Sequence, residues 1–350
     1  MLPIKTTKAA ILTELNAPLV VDTIELPDAL DCGQVLVRVL YSGICGSQLG
    51  EIRGVKGPDK YLPHLLGHEG SGEVLAVGPG VRHVAPGDKV VLHWRKGDGI
   101  ECAPPHYTWR GQKLNAGWVT TFNEHAIVAE NRLTRLPEGF DPELAPLLGC
   151  AVTTGFGAVQ NVADLKIGES IVVIGSGGVG LNVIQAAALS TAHPIVAVDL
   201  FDNRLELARE MGATHCLNSR GIDLAKAVRD IVGPAGADVV VDNTGNTDVI
   251  AQAYALTKPQ GRTILVGVPA AGADVTIHSL PLHFGKVLRG THGGDGNPAL
   301  DIPRYANLTL AGKLHLAPLV TERYGLDDIN TAIARMQNGE AAGRCIIRMD

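Results

Sequence analysis

The feature that most constrains the fold is Gly175-Ser-Gly177-Gly178-Val179-Gly180, a G-x-G-x-x-G run that follows the apolar stretch Ile171-Val-Val-Ile and opens an apolar segment of helical composition. In a chain with 42 glycines the run alone means little. Placed between a strand and a helix, each glycine acquires a distinct role, since Gly175 makes the turn, Gly177 lets a ligand approach the backbone, and Gly180 lets helix pack on strand. Gly178 and Val179 then open the helix, whose free N–H groups and dipole favour a pyrophosphate. A second apolar strand ends at Asp199, about twenty residues on, where a carboxylate accepts ribose hydroxyls and repels a 2′-phosphate. This points to NAD rather than NADP. Arg204, five residues further on and a candidate cofactor contact, sits close enough to soften that preference. The competing reading is a ligand-free glycine turn with an exposed strand-end acid, and strand, helix and acid at this spacing speak against it.

Around this motif, from about Leu165 to Gly290, apolar strands alternate with helix-length segments, the mark of βαβ units and a parallel sheet. Strands are expected at 170–174, 195–199, 238–242 and 263–267, and helices at 178–189 and 203–211, the second capped by Asp202 and closed by Gly212. From Lys8 to about Leu136, short β-rich runs such as Val35-Leu-Val-Arg-Val-Leu-Tyr and Asp88-Lys-Val-Val-Leu lie between Gly/Pro turns and read as a small barrel-like β domain. Helical stretches at 302–311 and 326–338 and a strand at 344–349 follow. A chain of 350 residues is expected to hold two cores.

Several function classes fall away. The net charge of −6 comes without a basic block, so no nucleic-acid partner is expected. No run approaches 18 apolar residues, and the first residues lack a signal-peptide pattern, so a cytoplasmic protein is expected. Six widely spaced cysteines look like reduced thiols rather than a disulfide framework.

Three elements can converge on a metal: Cys45 in Gly43-Ile-Cys-Gly-Ser, His68 in Gly67-His-Glu-Gly, and Cys150 in Leu148-Gly-Cys-Ala. Two thiolates and an imidazole suit zinc, and three protein ligands leave a fourth position open. Taken singly, each is more often a buried structural residue, and the long separations are uninformative.

Those motifs, with Gly67-His-Glu-Gly-Ser-Gly-Glu-Val, Pro86-Gly-Asp-Lys-Val, Phe122-Asn-Glu-His and Gly149-Cys-Ala-Val-Thr-Thr-Gly in this order, make the chain similar to the zinc-containing medium-chain alcohol dehydrogenases along nearly its whole length. The resemblance implies an α/β protein: a GroES-like β-barrel catalytic domain from 1–152 with 292–350, and a Rossmann doubly wound parallel-sheet domain at 153–291. It implies one catalytic zinc on Cys45, His68 and Cys150, and Glu69 as an acid that approaches the metal during ligand exchange. It further implies Ser47 as the hydroxyl taking the alcohol proton, Thr154 and Val179 beside the nicotinamide, and Arg344 near the pyrophosphate. A homodimer or homotetramer joined through 262–290 is implied as well.

Three departures stand out. Gln48 occupies the place where the family often has an Asp behind the zinc-bound His; its oxygen can still accept the imidazole N–H, but without a negative charge it should increase ligand basicity less. Gly50 stands where some members carry a proton-relaying His. Only Cys102 remains where many members have a four-cysteine zinc lobe, so Arg95 to Gly111 reads as a reorganised loop.

The activity so implied is hydride transfer between NAD and a small-molecule alcohol/carbonyl pair. The resemblance places Trp94 and His93 near the pocket wall with Trp118 in a nearby loop, which would favour an aromatic or apolar alcohol, whereas His292, His93 and Glu51 could serve a polyol or sugar-derived substrate, and neither composition nor motif decides between them. A zinc-free NADPH-dependent quinone or enone reductase of the same superfamily would make the three ligands coincidental, and a catalytically silent NAD-binding protein would leave Ser47 without a role.

Overall fold

A computed structural model describes residues 2–349 of the chain. It divides into two units, Met1–Cys150 with Asn297–Asp350, and Ala151–Gly296.

The first unit is built on two sheets. One orders His64–Leu65, Thr6–Leu12, Val20–Glu25, Tyr107–Trp109 and Gln112–Leu114; the other orders Leu133–Arg135, Lys89–His93, Glu69–Val77, Gln34–Gly43, Arg344–Arg348 and Val320–Gly325, with His125–Ala129 also paired to Gln34–Gly43. Alternate side chains of a strand point to opposite faces. Ala10 and Leu12 therefore join Val35, Val37 and Phe122 in one core, while Ala9 and Ile11 join Leu36, Tyr107 and Ile127 in another. Burial on both faces explains why these strands read as nearly continuous apolar runs. The strand Arg344–Arg348 comes from the far end of the chain, yet it sits between Gln34–Gly43 and Val320–Gly325.

The second unit carries a parallel sheet in the order His215–Asn218, Ile195–Asp199, Ile171–Ile174, Ala237–Asp242, Thr257–Leu265 and Val287–Gly290. Numbered along the chain this is 3-2-1-4-5-6, the doubly wound dinucleotide order, which switches direction between Ile171–Ile174 and Ala237–Asp242. The helix Gly178–Leu189 starts on the glycine run.

Some expectations need correction. The helix Asp202–Glu210 has Phe201 at its N-cap, and Asp202, already inside the helix, instead accepts from Asn218 Nδ2 at 2.7 Å. The helix does stop before Gly212, whose φ of +109° suits only glycine. The end of the reorganised loop folds back as a hairpin, Tyr107–Trp109 pairing with Gln112–Leu114 just beyond it. Within 262–290, Arg262–Leu265 is paired on both sides, and Val287–Gly290 forms the sheet edge. The short strand His215–Asn218 was not legible, because His-Cys-Leu-Asn has neither alternation nor a sustained apolar run. No helix among the described residues is long and apolar enough to cross a membrane.

Candidate active site

Cys45 is the N-cap of the helix Gly46–Ile52, which follows the strand Gln34–Gly43; His68 immediately precedes Glu69–Val77; Cys150 lies on a widened, π-helical turn, Leu148–Val152. Gly149 allows that turn to approach: a Cβ there would lie 2.5 Å from the Leu92 carbonyl oxygen. The ligand atoms of Cys45, His68 and Cys150 all fall within 4.8 Å of one another. Cys45 Sγ is 3.9 Å from Cys150 Sγ, and His68 Nε2 is 3.3 Å from Cys150 Sγ, so Nε2 is the nitrogen turned inward. Two soft sulfurs and one imidazole nitrogen form a three-ligand zinc set with room for a fourth ligand. This convergence removes the reading in which the three residues are coincidental.

Proximity pulls the acidities of these groups apart, and Cys150 is pushed well above its ordinary range by its hydrogen bond to Cys45. The Cys150 hydrogen bond holds the Cys45 thiol well below its ordinary range against the effect of burial, with Arg344 and His68 adding to the shift. Burial opposes a charged His68, but the hydrogen bond and charge of Cys45, with the charge of Glu69, raise its pKa on balance. The fully buried Arg344 is likewise opposed by burial, and the charges of Glu69, Cys45 and Cys150 outweigh it and raise its pKa. Its Nε lies 3.3 Å from Glu69 Oε1, and its Nη1 donates to the Ile44 carbonyl at 3.0 Å. Arg344 thus faces inward beside the ligand set.

Around the centre, Ser47 is exposed on the first turn of Gly46–Ile52. Gln48 is buried; its Oε1 accepts the Cys45 backbone N–H at 3.0 Å, and its Nε2 meets His68 Nδ1. In this arrangement the oxygen serves the Cys45 N–H, and the amide nitrogen is the end placed beside His68. The Trp94 ring lies 6.3 Å from the His68 ring at 58°. His93 is wholly enclosed, with Nδ1 2.7 Å from the Arg95 carbonyl and Nε2 3.0 Å from Thr134 Oγ1, and burial drives its pKa down to about 4. It is a satisfied core histidine.

Sequence reasoning missed Glu130. Its Oε1 accepts from the N–H groups of Arg82 and His83 at 2.6 and 2.8 Å, and its Oε2 from that of Ile100 at 2.8 Å. Beside it, Arg132 donates to the Trp94 carbonyl at 2.8 Å and lies 3.6 Å from Glu101. These residues hold the segment that includes Cys102, which is half-buried. No local signal marks Glu130, since its partners lie some thirty to fifty positions away.

In the second unit, Gly175 has φ +90°, a Cβ on Gly180 would lie 1.9 Å from the Gly175 carbonyl oxygen, and a Cβ on Gly177 would meet nothing within 4 Å. The open space at Gly177, ahead of the N–H groups of Gly178 and Val179, suits a pyrophosphate. Asp199 Oδ2 accepts from Ser176 N–H at 2.7 Å, and Oδ1 from Leu200 and Phe201 N–H at 2.8 and 3.1 Å. Arg204 Nη1 lies 3.8 Å from Asp199 Oδ1, its guanidinium 4.9 Å from the Phe201 ring centre. Thr154 is buried on Thr153–Gly157, and Val179 is half-exposed on the first turn of Gly178–Leu189.

Comparison with known proteins agrees. Residues 31–138 match the alcohol dehydrogenase GroES-like domain, and residues 178–309 match the zinc-binding dehydrogenase family. The chain is 32% identical to an S-(hydroxymethyl)glutathione dehydrogenase of Paracoccus denitrificans, over 96% of this chain and 98% of the relative. It superposes on an alcohol dehydrogenase zinc-binding domain protein from Burkholderia ambifaria with a TM-score of 0.90 at 31% identity, covering 99% of both chains. A benzyl alcohol dehydrogenase from Acinetobacter calcoaceticus gives a TM-score of 0.89 at 29% identity, covering 99% of this chain and 100% of that one. With its ligand set, its doubly wound sheet and this similarity over essentially its full length, the chain belongs to the zinc-dependent medium-chain alcohol dehydrogenases, which use NAD.

Proposed function

We propose that the enzyme oxidises an aromatic primary alcohol, or reduces the matching aldehyde. The observation that carries this is Trp94, whose indole stands beside His68 of the metal centre and offers an apolar, stackable wall. The similarity to a benzyl alcohol dehydrogenase supports the same substrate class. The polyol reading loses His93, whose two nitrogens are already engaged.

When bound, zinc on Cys45, His68 and Cys150 supplies a Lewis acid that acidifies the alcohol, and NAD supplies the hydride acceptor. Ser47, exposed beside Cys45, takes the alcohol proton. Gly175, Gly177, Gly178 and Gly180 admit the pyrophosphate to the helix N-terminus, with Val179 and Thr154 against the nicotinamide. Three of the roughly four lone-pair positions of the Asp199 carboxylate serve backbone N–H groups, and the remaining one accepts a ribose hydroxyl, with Arg204 alongside. Glu69 and Arg344 balance the charge of the ligand set. The enzyme works in the cytoplasm, where its cysteines, all free among the described residues, stay reduced. It works as a homodimer or tetramer, for which exposed Val268, Phe284 and Val287 near and on the edge strand provide an apolar contact.

Initial rates of NAD reduction with benzyl alcohol, short linear alcohols, polyols and S-(hydroxymethyl)glutathione test the assignment. Benzyl alcohol should lead in kcat/KM by at least about tenfold, and Trp94→Ala should erase that lead. A polyol or the glutathione adduct in first place overturns it.

A further inference from the structure

Trp94, whose indole stands beside His68, is the first residue past the strand Lys89–His93, where sheet pairing stops fixing the backbone. A tryptophan side chain has only two torsions, so the indole follows wherever its backbone is held. Arg132, at the end of the turn Glu130–Arg132, holds it: Nη1 donates to the Trp94 carbonyl at 2.8 Å. The Arg132 side chain is only 7% exposed, and a cation so enclosed is costly unless its surroundings answer it. Its Nη2 lies 3.6 Å from Glu101 Oε2, and its central carbon lies 5.3 Å from the centre of the Trp118 ring. Trp118 is 47% exposed, so its indole covers the cation on the solvent side. A flat fork that donates in its plane and stacks on its face serves a carbonyl, a carboxylate and a ring at once, which an ammonium does not. The rest of the loop is tied separately, through Gly97 N–H to the Asn131 carbonyl at 2.8 Å and Ile100 N–H to Glu130. Removing the fork therefore releases Trp94 and leaves the other ties in place.

We infer that Arg132 is a positioning residue that holds the Trp94 indole against the metal centre and so sets the preference for aromatic over linear alcohols. This rests on the aromatic-alcohol reading above, and its test separates the two. Wild type, Trp94→Ala, Arg132→Met and the double variant are assayed with benzyl alcohol and with ethanol, and zinc content is measured on each. Arg132→Met should keep its zinc and lower the benzyl-to-ethanol ratio of kcat/KM by about tenfold, chiefly through a higher KM for benzyl alcohol. In the Trp94→Ala background the same change should move the ratio by less than about twofold, because the wall through which Arg132 acts is gone. If Arg132→Met does not fold, Arg132→Lys takes its place in the cycle, since it keeps the charge and gives up the flat fork. Equal effects in both backgrounds, or an unchanged ratio in the single Arg132 variant, overturn the inference. A wild type that prefers another alcohol defeats the aromatic reading instead, and the same cycle, run on kcat/KM for that alcohol, still answers for Arg132.

Discussion

Two polar clusters of the same unit answer burial in opposite ways. At the Glu130 corner, both carboxylate oxygens are engaged by backbone N–H groups, and the result is a fixed loop. At the metal centre, Cys45, His68 and Cys150 point at a common place, their acidities pulled apart by proximity. Buried charge that meets its partners within the chain builds structure; buried charge converging on one shared point is arranged for a ligand. The contrast holds only if the two clusters fail differently when broken.

The largest expected effect is His68→Ala, which should lose zinc and at least about a thousandfold in kcat/KM while leaving the thermal midpoint nearly in place. Elemental analysis with circular dichroism on the same samples decides, and a large fall in thermal midpoint would make the centre structural after all. Glu130→Ala should do the reverse, losing about 3–5 kcal/mol of stability as three N–H groups lose their acceptor, with zinc content per folded chain unchanged. Loss of zinc in step with stability would merge the two clusters.

His93, whose Nδ1 reaches the Arg95 carbonyl of the same loop, sharpens the contrast through pH. Its folded pKa of about 4 lies below the ordinary 6.5, so between these values the unfolded chain binds a proton that the folded one refuses. Stability is therefore whole above 6.5 and falls as pH drops toward 4, by up to about 3 kcal/mol. Denaturant midpoints across that window check it, and His93→Gln should flatten part of the slope.

Asp199 lies between the two types, because its carboxylate holds backbone and, as proposed, ribose as well. Asp199→Asn should move the NAD-to-NADP ratio of kcat/KM by about tenfold, with roughly 1 kcal/mol of stability lost. An unchanged ratio would leave Asp199 with the purely structural group.

The same division explains what the sequence disclosed. The glycine run and Asp199 were legible because a local order of strand, turn and helix gives each residue a defined role. Cys45, His68 and Cys150 were legible through family resemblance, since separations this long carry no signal of their own. Glu130 was hidden because its partners come from Arg82, His83 and Ile100, which only the folded chain brings together. The direction of Gln48 was hidden for a related reason: an amide offers either end, and the choice follows from the helix cap at Cys45. Asp202 misled because a good capping residue was beaten to the position by Phe201.

The strand Arg344–Arg348, seated between Gln34–Gly43 and Val320–Gly325, also sets a schedule. As the chain leaves the ribosome, the segment bearing Cys45, His68 and Cys150 emerges first, but its central sheet stays open on one side while all of Ala151–Gly296 is still being made. At ~5–20 residues per second that wait is on the order of ten seconds. Arg344, the cation against Glu69, arrives later still. The nucleotide-binding unit can thus finish first, and a nascent chain stalled before Asn297 would display three ligand residues beside a sheet that has not yet closed.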